Sequence, residues 1–71
     1  MNEVSIIIKD KNLSNFQKSM AFRKIAYKAW ELKDYKRAIE FIEHAKDFSE
    51  YEQNTQVLDW DLIRIYAEMK I

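Results

Sequence analysis

The sequence predicts an all-α fold: a helical hairpin plus a third helix, preceded by a short extended N-terminal arm. Three observations carry this. Gly and Pro are both absent from the 71 residues, against average usage of about 7% and 5%. Sheet hairpins depend on Gly, Asn-Gly or Pro at their turns, so helices joined by tight polar turns are favoured. Apolar residues recur at helical spacing from Phe22 to Ala45, interrupted only at Lys33-Asp34. Helix-start patterns also stand where that periodicity requires them, above all Ser14 followed by Gln17.

Residues 1–13 form the expected arm. Val4-Ser5-Ile6-Ile7-Ile8 is a β-branched run ending at Lys9-Asp10-Lys11-Asn12, too short for a sheet of its own. It is free to pack loosely as an extended segment or to pair with an edge strand of another chain. Residues 14–71 form the three-helix domain. Ser14 and Gln17 make a capping box that starts the first helix at Asn15, and the helix is expected to run to Leu32. Lys33-Asp34 is the turn, with Asp34 capping a second helix that ends near Asp47. Ser49 with Glu52 offers another capping box and Thr55 a second possible cap, so the third helix is placed over residues 56–70.

At about 100° per residue, the first helix carries two stripes. Phe22, Ile25, Ala26 and Ala29 face the second helix, where Ala38, Ile42 and Ala45 allow close approach of the two backbones. The other stripe holds Phe16, Met20, Arg23, Tyr27 and Trp30, and neighbours Leu58, Asp61 and Ile65 of the third helix. Met20, Arg23, Tyr27, Trp30, Asp61 and Ile65 are therefore the candidate partner-binding groove, since Trp, Tyr and Arg most often anchor interfaces. The competing reading is that these aromatics serve as core in a very small chain. The third helix is apolar on two sides, with Trp60, Ile63, Ala67 and Ile71 opposite Leu58, Leu62, Ile65 and Met69. A surface helix needs one apolar stripe. Leu58, Leu62, Ile65 and Met69 are accordingly the expected oligomer interface, a two-fold dimer being favoured over a foreign partner or cover by residues 1–12.

The same residues resemble the tetratricopeptide repeat. That family places a large apolar residue, then Leu-Gly, then Tyr on one helix, and Ala followed by an aromatic on the next. Phe22, Ile25-Ala26, Ala29, Asp34-Tyr35, Ala38, Ile42 and Ala45 follow the outline. Trp60, Ile63 and Ala67 repeat Phe22, Ile25 and Ala29 at an offset of 38 residues, against a family period of about 34. The departures are Ala29 in place of Tyr, Lys33 in place of the turn Gly, Arg64 in place of a small residue, and no closing Pro. The resemblance covers residues 19–67 and implies one repeat plus the first helix of another, with a peptide-holding concave face. The three-helix microtubule-interacting-and-trafficking domain is a look-alike, although Trp30 stands where its first helix usually carries Asp.

Charge and composition narrow the function. Twelve basic and twelve acidic residues give a neutral chain, yet residues 1–37 hold nine Lys/Arg against four Asp/Glu, and residues 38–71 hold three against eight. Opposite charges on facing helices account for this, as does head-to-tail self-association or attraction to an acidic partner, including nucleic acid, through Lys18, Arg23, Lys24, Lys28, Lys33, Lys36 and Arg37. Nucleic-acid binding is disfavoured by the neutral total and the lack of a binding motif. No Cys is present, compatible with a reducing cytosol, and neither a membrane span nor a signal-peptide pattern is found. His44, the only His, lies among Glu40, Glu43 and Asp47 and is expected to be exposed. No cofactor motif, metal-ligand set or catalytic constellation is recognised. The sequence thus points to a non-catalytic, cytoplasmic protein–protein interaction module, a small adaptor, regulator or inhibitor of a larger protein. The alternatives are a self-assembling homo-oligomer and a weak nucleic-acid binder.

Overall fold

In the computed structural model, which describes residues 3–70, the chain is all-helical: α1 (Glu3–Lys9), α2 (Asn15–Glu31), α3 (Tyr35–Asp47) and α4 (Glu52–Met69). The hairpin and the helix behind it are α2, α3 and α4. Where an extended arm was expected, residues Glu3–Lys9 instead form a helix. Val4 and Ile7, three residues apart, pack against the core together, so tertiary burial outweighs the low helix preference of a β-branched run. The Lys18 ammonium donates to the Ile8 carbonyl at 2.8 Å and satisfies a group at the end of α1. The chain then turns at Asp10, whose carboxylate accepts from the Asn12 N–H at 2.9 Å.

The capping box at the start of α2 is present in both directions. Ser14 Oγ accepts from the Gln17 N–H at 3.2 Å, and Gln17 Oε1 accepts from the Ser14 N–H at 2.8 Å. The helix closes in a Schellman arrangement, in which the N–H groups of Lys33 and Asp34 donate to the carbonyls of Trp30 and Ala29, each at 2.9 Å. Lys33 occupies the left-handed position with φ of 63°, the place where the absent Gly would normally sit. Asp34 then caps α3 as expected, accepting from the Arg37 N–H at 3.3 Å. One short segment therefore ends one helix and starts the next, which fixes the hairpin.

α4 starts earlier than expected and without either proposed cap. Tyr51 holds the N-cap position with no side-chain cap hydrogen bond. The Ser49 and Thr55 hydroxyls instead bond to each other at 2.7 Å, and the one that accepts in that bond donates to the Tyr51 carbonyl, which lies 3.3 Å from Ser49 Oγ and 3.2 Å from Thr55 Oγ1. Their hydroxyls thereby hold the connecting loop against the first turn of α4.

The core is a seam of small and branched residues. Phe22 and Ala26 from α2, Ala38, Ile39, Ile42 and Ala45 from α3, and Leu58 and Ile65 from α4 are buried. Ala26 and Ala38 let α2 and α3 approach closely. Ser19 is also fully buried, its hydroxyl donating to the Ala45 carbonyl at 2.8 Å and accepting from Asn54 Nδ2 at 3.2 Å, so one small polar group joins three helices. His44 is half-buried rather than exposed: its ring stacks on Phe22 at 5.3 Å, and Phe48 stacks on the same ring at 5.9 Å. The assembly measures 40 × 31 × 13 Å between Cα atoms, and the thin dimension matches two helix layers, an interaxial spacing of about 8–10 Å plus a Cα helix width of about 4.6 Å. α4 packs on the α2–α3 hairpin as the second layer, with one face on the hairpin and the other outward.

Candidate functional site

The fold offers two candidate surfaces, the α2–α4 seam and the outward face of α4. The seam brings together four of the six predicted groove residues. Arg23 Nε donates to Asp61 Oδ2 at 3.0 Å, Arg23 Nη2 donates to the Tyr27 hydroxyl at 2.6 Å, and that hydroxyl donates to the Asp61 carboxylate at 2.9 Å. Arg64 adds an ion pair to Asp61 at 3.8 Å. Asp61 is only 1% exposed, and this set of donors satisfies the oxygens of a carboxylate that water does not reach. Burial and the hydrogen bond to Asp61 raise the Tyr27 pKa above its ordinary 10.0. For Arg23, burial opposes the charge, but the hydrogen bond and the charge of Asp61 outweigh it and hold the guanidinium protonated.

The groove chemistry is therefore largely turned inward. Ile65 is fully buried in the core, Asp61 is spent on Arg23 and Tyr27, and Met20 lies exposed outside the network. Trp30 donates its indole N–H to Glu68, meets Tyr27 edge-to-face at 5.9 Å and carries the Arg64 guanidinium over its ring at 5.0 Å. What remains open is a shallow depression of about 350 Å³ lined by Tyr27, Trp30, Glu31, Lys33, Arg64 and Glu68. Arg64 and Glu68 were not among the predicted groove residues. Their four-residue spacing on the side of α4 that meets Trp30 was the available signal.

The predicted oligomer interface requires a correction. Leu58 and Ile65 are fully buried against the hairpin and Leu62 packs partly buried beside them, while Met69 is 47% exposed at the edge. This is the inward face of α4. Asp61 decides it, because its donors Arg23 and Tyr27 lie on α2 and turn its neighbours Leu58 and Ile65 toward the hairpin. The outward face holds Trp60 at 62% exposure and Ile63 at 58%, with exposed Ala67 one turn on and half-exposed Tyr66 alongside. Ile71, assigned by sequence to the same stripe, lies outside the described residues.

The basic residues of the first half are dispersed. Lys18 is bound to Ile8 and lies over the Phe48 ring, Arg23 to Asp61, Lys33 at 4.0 Å from Glu68, and Arg37 at 3.6 Å from Asp34. Lys24, Lys28 and Arg37 rim a second depression, of about 260 Å³, floored by Ile25, Ala29 and Phe41. Among the described residues, no cluster of three or more His, Asp or Glu is placed to hold a metal ion, and no helix is long and apolar enough to cross a membrane. Comparison with protein-family models, curated proteins and solved structures gives no match.

Proposed function

We propose that this chain is a non-catalytic protein–protein interaction module, a small adaptor, regulator or inhibitor, whose docking surface is the outward face of α4. One observation carries the reading: α4 already buries Leu58, Asp61 and Ile65 on the hairpin, yet holds Trp60 and Ile63 more than half exposed on its opposite side. A helix that only completes a core needs no second apolar stripe. Trp is also the side chain most enriched among interface hot spots.

The tetratricopeptide-like layout supports the same reading. Trp60, Ile63 and Ala67 repeat the spacing of Phe22, Ile25 and Ala29, and α3 covers the α2 stripe while no element among the described residues covers that of α4. Repeat arrays end in helices with polar outer faces, so an apolar outer face marks a position where another helix is received.

The test is photo-crosslinking in the native host, with p-benzoylphenylalanine placed at Ile63 or, as a control, at Glu40 on the exposed side of α3. A discrete crosslinked protein from position 63, absent from position 40 and lost when Trp60→Glu is added, is the expected result. No protein adduct at 63, or the same adducts from both positions, overturns the reading.

A further inference from the structure

We infer that the occupant of α4's outward face is a second copy of this chain, the two α4 helices packing antiparallel about a two-fold axis close to Ile63. The inference rests on the docking reading above and adds the partner. Three features of the surface fit a copy of itself.

The first is shape. An antiparallel two-fold brings Trp60 of each copy over Ala67 of the other, with Ile63 beside the axis. The largest side chain of the stripe thus meets the smallest, and large and small residues are likewise combined in the core, where Phe22 is buried in one cluster with Ala26, Ala38 and Ala45. α4 has 18 residues and is about 27 Å long, and helices crossing at about 20° stay in contact over most of such a length.

The second is charge. Asp59 and Lys70 lie on one edge of the stripe, and a two-fold axis across the helices sets each edge against itself. Lys70 of one copy then approaches Asp59 of the other, within a turn of the helix. Asp59 also holds Lys46 of its own chain, so it sits between two cations, whereas Lys70 has no intrachain ion-pair partner among the described residues. The chain as a whole carries no net charge, so two copies meet without long-range repulsion.

The third is core size. Only eight apolar residues are buried among those described, and small domains commonly complete their cores by association. No Cys is available for the covalent alternative.

Sedimentation equilibrium on the full chain from about 1 µM to about 1 mM spans the range in which an interface of one helix pair dissociates. The expected result is a monomer–dimer equilibrium weakened roughly thirtyfold or more by Trp60→Glu or Ile63→Glu, the size of a hot-spot loss. Circular dichroism confirms that each variant keeps its helices, which is expected because both positions are exposed. Geometry is tested with Ile63→Cys, which should oxidise to a covalent dimer under conditions where Glu40→Cys does not. A monomer throughout, or a dimer indifferent to Trp60→Glu and to oxidation at position 63, overturns the inference. If position 63 meanwhile crosslinks to a different protein, the docking reading stands and only the second copy is wrong; if it crosslinks to nothing, both fall.

Discussion

Arg23 on α2 and Asp61 on α4 meet at 3.0 Å across 38 residues of sequence, and Tyr27 joins them through its hydroxyl. This contact orients α4, because turning the helix to present its other stripe to the hairpin would leave a guanidinium and a phenol facing apolar side chains. Asp61→Ala removes the acceptor while both donors stay part-buried. Arg23 is a quarter exposed and regains some hydration, so the expected loss is about 2 kcal/mol rather than the larger cost of a fully enclosed pair. Urea unfolding followed by circular dichroism measures it, and Asp61→Asn, which keeps an acceptor oxygen, should lose less.

The raised Tyr27 pKa makes stability fall in alkaline solution. The unfolded chain releases this proton near 10.0, while the folded chain retains it to higher pH through burial and the bond to Asp61. Between those two points the folded state binds more protons, so the slope of unfolding free energy against pH is negative. The stabilisation is complete below about pH 10 and is lost as pH rises through the folded value. Subtracting the urea midpoints of Tyr27→Phe from those of the parent over pH 8 to about 11 isolates this residue from the other tyrosines. A difference that stays flat across that window would mean the hydroxyl is not held as described.

Lys33→Gly is expected to stabilise the protein by about 1 kcal/mol, since Lys33 takes a left-handed conformation at φ of 63° that costs a side-chain-bearing residue about that much. The lost contact with Glu68 at 4.0 Å is exposed and contributes little. Thermal unfolding of the single variant checks the sign.

Ala38→Leu tests the close approach of α2 and α3. Ala38 is fully buried between the hairpin helices, so added methylenes must push the backbones apart, at an expected cost of about 1–3 kcal/mol. A near-neutral result in the same urea assay would show the seam to be looser than the burial of Ala26 and Ala38 indicates.

These contacts also explain which parts of the structure were legible in the sequence. The caps at Ser14 and Asp34 were, because a capping side chain acts on backbone groups two or three residues away and needs no tertiary context. The adjacency of Arg23, Tyr27 and Trp30 to Asp61 was legible too, as helical phase alone brings the two stripes together. The direction in which that adjacency is used was not. Two apolar stripes of similar strength compete on α4, and the choice falls on the one containing a charged residue, which hydropathy assigns to the surface. Only the pairing with Arg23 and Tyr27 reverses that preference. The α1 helix was hidden for a related reason: Val4 and Ile7 become helical through contact with the hairpin, and a β-branched run read alone points to extended chain. His44 looked like a surface imidazole because its sequence neighbours are acidic, while the ring that stacks on it, Phe22, is 22 positions away.

Trp60 and Ile63 stand more than half exposed on the side of α4 away from the hairpin, so on a single copy that side meets solvent while the side carrying Leu58 and Ile65 is closed, and local opening is expected to differ between the two. Amide hydrogens of α4 near Trp60 and Ile63 would then exchange according to what covers the helix. In this molecule the exchange clock reads the occupancy of one surface as directly as the stability of the fold.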